Sequence, residues 1–229
     1  MCSRYFLDAD GNIIAYTFSV PVHDRLKKRY NIAPTQVSPA VRIASDGTRE
    51  MAELRWGLVP FWAKELSFGT KAINARSETA EEKPSFRNAF RKRRCVVPAS
   101  GFFEWKGEPG KKQAYAITVA DQPLFAMAGL WESWNSPDGE TVETYTILTT
   151  DANAEMGAIH DRMPVILPAA SVESWLTGKP EEVRALMKPY AGHIAVRPIG
   201  KLVGNPRNDT PAVLAPFEPP ATGIIPAAG

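Results

Sequence analysis

Residues 114–149 read AYAITVADQPLFAMAGLWESWNSPDGETVETYTILT. Three segments of this stretch, Ala114 to Val119, Phe125 to Trp134 and Glu143 to Thr149, read as strands, because side chains on a strand face opposite sides in turn and apolar positions recur with that period. Outward from this block the same pattern appears at Asn12 to Phe18, Ala40 to Ala44, Met51 to Trp56, Cys95 to Pro98, Gly101 to Trp105 and Pro164 to Leu167. Helical spacing fits Val22 to Arg29, Lys83 to Arg93, Ala152 to Ile159, Ala170 to Leu176 and Pro180 to Met187, the fourth with Pro168 before it and Gly178 after it. Strands neither alternate regularly with helices nor segregate into one half. The expected class is α+β, with a curled, mostly antiparallel sheet and flanking helices.

The chain has 229 residues, 44% of them hydrophobic and 23% charged, which suits a folded globular protein and excludes a disordered one. With 27 basic and 25 acidic residues the net charge is only +2, which excludes a uniformly cationic chromatin-type protein but not a local basic patch. No signal-peptide core and no run of about 20 apolar residues occurs, so no membrane contact and a cytoplasmic, reducing location are expected. The two cysteines, Cys2 and Cys95, are read as free thiols. Residues 1–210 are expected to form one domain. From 211 to 229 the composition turns to Pro, Ala and Gly without Lys or Arg, which reads as a poorly ordered tail.

Removal of Met1 would leave Cys2 with an amine and a thiol on adjacent carbons; the competing reading, favoured by position alone, is an incidental small residue at a frayed terminus. Such a 1,2-aminothiol condenses with an aldehyde to an imine, and the thiol then closes a thiazolidine ring on the same carbon. Both groups are largely protonated at neutral pH, so an acid/base partner would help. Glu104, inside the aromatic run Gly101-Phe102-Phe103-Glu104-Trp105, is one candidate, since an apolar setting raises a carboxyl pKa toward the range of a general acid. The competing reading is a strand carboxylate that is solvated or paired with an Arg. The three histidines, His23, His160 and His193, lack the spacing of a zinc site, so neither a metal nor a cofactor is expected. His160 stands beside Asp161 and Arg162 between a helical stretch and a strand, where it reads either as an anion-facing ring or as a satisfied loop residue. Lys83 to Arg94 holds six basic residues and no acidic one, either a phosphate-binding face or a solvated helix. Trp56, Phe61, Trp62 and Trp105 are candidate stacking surfaces for unpaired bases, against the commoner reading of tryptophan as core.

In order along the chain, Met1-Cys2-Ser3-Arg4, Tyr30-Asn31-Ile32-Ala33-Pro34-Thr35, Trp56-Gly57-Leu58-Val59-Pro60, Asn74-Ala75-Arg76-Ser77-Glu78-Thr79, Gly101-Phe102-Phe103-Glu104-Trp105, Ile159-His160-Asp161-Arg162-Met163-Pro164 and Val203-Gly204-Asn205 resemble the SRAP family, the SOS-response-associated peptidases that process abasic sites in DNA. The chain departs from the family pattern at Ser3, where Gly is usual. The resemblance implies a single α+β domain with a barrel-like sheet. It implies that Cys2, freed of Met1 by the protein itself or by an aminopeptidase, captures the aldehyde of an abasic site in single-stranded DNA as a covalent thiazolidine. By the same resemblance Asn74 positions the terminus and the sugar, Glu104 moves protons, and His160 acts at the sugar hydroxyl or in slow reversal. Arg4, Arg76 and Arg162 then contact phosphates, while Pro34, Trp62 and Trp105 form an apolar wedge and stacking surface. A monomer associated with nucleoid DNA, or nuclear DNA in a eukaryote, is implied, with strand nicking by β-elimination as a lyase side reaction. Two other classes fit the residues: an N-terminal-nucleophile amidase or peptidase in which the Cys2 amine is the base, and a non-covalent single-stranded DNA-binding module.

Overall fold

The three strands of residues 114–149 are present and lie in two different sheets. The structure, a computed structural model, describes residues 2–23, 26–120 and 122–217. In chain order the elements are β1 (Tyr5–Leu7), α1 (Gly11–Phe18), β2 (Arg29–Ile32), β3 (Val37–Ile43), β4 (Arg49–Trp56), β5 (Asn74–Arg76), α2 (Arg87–Lys92), β6 (Arg94–Ala99) and β7 (Gly101–Lys106). There follow β8 (Gln113–Val119), β9 (Phe125–Asn135), β10 (Thr141–Asp151), α3 (Ala154–Gly157), β11 (Arg162–Pro164), β12 (Ile166–Leu167), α4 (Val172–Thr177), α5 (Pro180–Arg184) and β13 (Ile194–Ile199).

Five strands close a ring in the order β10, β4, β3, β6, β9 and back to β10. The β10–β4 pair is parallel and the other four are antiparallel, so the barrel is mixed. The second sheet, in the order β13, β8, β7, β1, β2, is antiparallel throughout. Period-two alternation decides how it packs. Tyr5 and Phe102 join the main core with Leu54, Trp56 and Tyr145, whereas their neighbours Phe6 and Phe103 join a smaller cluster with Val203 and Val213. Gly101 is required where it stands: a Cβ there would lie 2.4 Å from the Phe6 ring.

The curled, barrel-like α+β expectation is therefore realised as a closed barrel plus a second sheet. Asn12 to Phe18, expected as a strand, is helical. The Asp10 carboxylate accepts from the backbone N–H of Asn12 and Ile13, and the buried positions Gly11, Ile14, Ala15 and Phe18 have helical spacing. Val22 to Arg29 forms no helix in its described residues, and Arg29 begins β2. The tail boundary is also corrected: Pro211–Leu214 is a 3₁₀ turn with Val213 buried, and Pro216 bridges Ile199. Residues 218–229 of the expected tail lie outside the described residues. No described helix is long and apolar enough to cross a membrane.

Candidate active site

Strand β1 is three residues long, yet it is an interior strand, paired with β7 on one side and β2 on the other. Residues 2–4 leave its start at a fixed place. The Arg4 carbonyl accepts from Phe103 N–H at 2.9 Å, and the Cys2 carbonyl accepts from Asn74 Nδ2 at 2.7 Å. Asn74 opens β5, which runs parallel to β10 with Asn74 opposite Ile147. The barrel thus reaches out through a side-chain amide to hold the chain's second residue. Asn74 Oδ1 is buried and has no hydrogen-bond partner among the described residues, leaving an acceptor beside that residue.

Below Cys2, Tyr5 Oη, Ser38 Oγ and Tyr145 Oη form a closed triangle of hydrogen bonds of 2.7, 2.7 and 2.9 Å. Burial pushes the Tyr5 hydroxyl up to about 12. The Cys2 side chain is 1% exposed and its thiol pKa is pushed far up, by burial first and by the Glu104 charge second. Cys95 is likewise buried, and both cysteines are free.

Because β7 continues past the start of β1, Glu104 and Trp105 extend beyond their neighbour and border a cavity of about 400 Å³ together with Arg4, Lys112 and His160. Alternation places the two residues on opposite faces of β7, as expected, but the cavity opens at the strand's overhang and both reach its wall. Glu104 is buried, and burial raises its carboxyl pKa against the pull of nearby positive charge that includes His160. His160 follows α3, where its N–H donates to Met156 O. Its Nδ1 accepts from Arg162 N–H at 2.9 Å and lies 2.8 Å from Asp161 Oδ1. Arg4 donates to the neutral oxygens of Val203 (2.9 Å) and Asn31 (3.4 Å), so neither partner cancels its charge, and burial lowers its pKa.

Arg162 departs from its expected phosphate contact. It is 8% exposed and grips Glu78 through both Nη atoms at 2.7 and 2.9 Å, Asp151 at 2.6 Å and the Thr149 carbonyl at 2.7 Å. Reaching a phosphate would break these bonds. Its side chain thus ties β11 to Glu78, Asp151 and the Thr149 carbonyl, while its backbone N–H bonds His160. Arg76, at the exposed end of β5, is open to solvent two residues from Asn74.

Pro34 is half-buried in a tight turn in which Gln36 N–H donates to Ala33 O and Thr35 has φ +72°. A β-branched residue rarely adopts that angle, and the turn is held by Thr35 N–H to Trp56 O at 2.8 Å and Arg55 Nη1 to Thr35 O at 2.6 Å. Trp62 is 47% and Phe61 61% exposed, on the segment between β4 and β5. Gly57 (φ +118°) and Gly69 close the neck of that segment: a Cβ on either would lie 2.5 Å or less from the other's carbonyl oxygen.

Three parts of the site escaped the sequence reading. Lys112 lines the cavity but sits just before β8 in a stretch with no motif. Asn31 lay inside a quoted motif without a role; its Nδ2 donates to the carbonyls of Val203, Asn205 and Asn208 and ties the 203–208 loop to β2. Asp209 adds bonds to Arg29 and to the N–H groups of Tyr30 and Asn31. A loop fastened by one amide leaves only a scattered Asn signal.

The fold thus brings Cys2, Arg4, Asn74, Glu104, Trp105 and His160 together, while Pro34, Trp62, Arg76 and Arg162 do not line the cavity, and the profile of the SOS response associated peptidase (SRAP) family matches residues 1–206. The chain belongs to the SRAP family. Among its SRAP relatives, the abasic site processing protein YoqW of Bacillus subtilis is 40% identical over 223 residues, covering 93% of this chain and 99% of that one. The abasic site processing protein HMCES of Gallus gallus is 35% identical, covering 85% of this chain and 68% of the relative. A crystal structure of a Bacteroides thetaiotaomicron protein superposes with a TM-score of 0.84 at 30% identity, over 95% of this chain and all of that one.

Proposed function

We propose that this SRAP protein processes abasic sites in single-stranded DNA by capturing them covalently at residue 2. The carrying observation is the Asn74–Cys2 bond, which fixes residue 2 beside a cavity walled by a buried carboxyl and an imidazole. The names of its relatives point to abasic sites as the substrate. Met1, whose removal must come first, lies outside the described residues.

The chemistry balances without a metal or a cofactor. The Cys2 α-amine adds to the ring-opened deoxyribose aldehyde and loses water to give an imine. The thiol then adds across C=N, forming one C–S bond and restoring N–H. Glu104, protonated more readily than an ordinary carboxyl because it is buried, donates to the departing water and recovers a proton from the thiol. That return suits a thiol whose pKa is raised, since no standing thiolate is required. His160 assists at the sugar hydroxyl, Asn74 Oδ1 accepts from the amine or the sugar, and Arg4 and Arg76 meet phosphates. Pro34, Trp62 and Trp105 offer apolar and stacking surface to unpaired bases. The imine also acidifies the adjacent carbon, so β-elimination with strand nicking competes with ring closure.

Intact mass after mixing with an abasic single-stranded oligonucleotide tests this reading. Protein shown to begin at Cys2 should gain one oligonucleotide less one water in a heat-stable adduct, and Cys2→Ala should not. Absence of the adduct from correctly trimmed protein would falsify capture, and a heat-stable adduct on Cys2→Ala would remove the thiol from the mechanism.

A further inference from the structure

The basic run Lys83 to Arg94 takes no part in the Cys2 cavity. Its residues Lys83, Arg87, Arg91 and Lys92 are exposed, and Arg91 to Arg94 line a separate groove of about 820 Å³ that shares no residue with the cavity at Cys2. Charge in this groove is unevenly compensated. Arg42 is bonded to Glu50 and Glu143 at 2.7 Å each, and Arg93 to the buried Glu132 at 2.8 Å. Arg94 is buried and donates only to carbonyls, those of Trp175, Phe90 and Gly178. Arg91 and Lys92 have no carboxylate within ion-pair distance among the described residues. Both lie in the last turn of α2. The Trp131 ring borders the groove, with the Arg42 guanidinium 4.1 Å and that of Arg93 5.7 Å from its centre. In a chain of net charge +2, this concentrates unneutralised positive charge in one concave place.

We propose that this groove is a second, non-covalent site for the phosphodiester backbone of the same DNA strand that enters the Cys2 cavity. Polyanionic backbone complements the exposed Arg91 and Lys92, with the buried Arg94 adding charge behind them, and the binding is indifferent to base sequence because the contacts are to phosphate. The two sites lie at different points along β3. Ser38, bonded to Tyr5 near Cys2, and Arg42 in the groove are four residues apart on β3, about 13 Å at the usual rise. A strand must therefore run several nucleotides beyond the lesion to reach the groove. This inference rests on the DNA-processing reading above.

The test is the double variant Arg91→Gln with Lys92→Gln, both exposed and both replaced by a residue of similar helix propensity. Anisotropy with an undamaged 20-nucleotide single strand should show binding about tenfold weaker at low salt. The slope of log affinity against log salt should be shallower by roughly 1.4, at about 0.7 per lost contact. Crosslinking to a five-nucleotide strand with a central abasic site should proceed at the wild-type rate. Unchanged 20-mer affinity and slope would overturn the groove as a DNA site. So would an equal loss in Lys188→Gln with Arg197→Gln, a control pair of exposed cations elsewhere, or slowed crosslinking of the five-mer. Should neither wild type nor variant crosslink at all, the capture reading fails, while the anisotropy comparison still decides the groove.

Discussion

Replacing Asn74 isolates the contact that holds residue 2. Its Nδ2 donates to the Cys2 carbonyl at 2.7 Å, while its backbone stays in register opposite Ile147 whatever the side chain. Asn74→Ala therefore removes the donor without removing β5. A part-buried carbonyl left without its donor costs about 1–3 kcal/mol, which residue 2 recovers by drifting from its place near Glu104. At about 1.4 kcal/mol per factor of ten, the productive population falls roughly 5- to 150-fold, and single-turnover crosslinking should slow by that factor. Asn74→Asp keeps the shape but turns the donor into an anionic acceptor facing a carbonyl oxygen. It should be at least as slow as the alanine variant, and its added negative charge should hold Glu104 protonated to still higher pH. The assay is the rate of heat-stable adduct formation on denaturing gels, with urea midpoints measured alongside to show that the fold persists. An alanine variant within twofold of wild type would refute the idea that this bond places the reacting terminus. An aspartate variant faster than the alanine variant would refute the donor argument.

Arg162→Lys replaces a planar fork by a point donor; Glu78 and Asp151 are exposed enough to rehydrate, so most of the cost comes from the Thr149 carbonyl and should total about 2 kcal/mol in urea unfolding, with crosslinking slowed through the His160 loop. A variant as stable as wild type would show that the guanidinium network is incidental. Gly69→Ala sets a Cβ 2.3 Å from the Gly57 carbonyl oxygen, so overpacking should cost about 1–3 kcal/mol and alter the fluorescence of Trp62, and an unchanged protein would mean the neck is compliant. For Glu104 the folded-state pKa is raised by burial. The folded protein then holds a proton the unfolded chain has lost, so the contribution of Glu104 to stability falls as pH rises from the ordinary carboxyl range, about 4.3, through the raised value. Glu104→Gln should therefore gain stability over wild type as pH rises through that window, and a parallel pair of pH–stability curves would contradict the raised pKa.

Much of the barrel was legible because its strands are long and strongly patterned. The three segments of residues 114–149 and those at 40–44, 51–56 and 95–105 all appear within a few residues of their expected bounds. Two kinds of element escaped. Short strands such as β1, β2 and β5 have too few residues to show a period, and they form because long neighbours offer edges to pair with. Helix α1 carries apolar residues in a run, Asn12 to Phe18, that fits either period, and only the cap at Asp10 decides between them. At the candidate site, Cys2, Asn74, Glu104, His160 and Trp105 were named through chemistry and the family resemblance, and the fold brings them near one another. Their convergence depends on β1 being interior and on β7 overrunning it, neither of which a local pattern encodes. Arg162 shows the opposite limit, since a sequence motif does not say whether a guanidinium faces a phosphate or two carboxylates of its own chain.

Chemistry at a chain's first residues faces an entropic difficulty, because termini fray unless something holds them. Here the solution is to begin with a fully buried strand paired on both edges. Tyr5 and Leu7 are fully buried in the core, Tyr5 is bonded into the barrel through Ser38 and Tyr145, and both edges of β1 are paired. From that anchor only three residues lead to Cys2, and two of their carbonyls, at Arg4 and Cys2, are bonded to β7 and β5. Fixing each backbone residue costs about 1–2 kcal/mol, a penalty met by folding and not at the moment of reaction. Under the proposed capture, a terminus held in this way would meet an aldehyde as a residue inside a site would, with Glu104 already beside it. The same anchoring explains why the C-terminal part of the chain is fastened to β2 by Asn31 and Asp209: the 203–208 loop supplies the carbonyl that holds Arg4, and Arg4 forms part of the cavity wall.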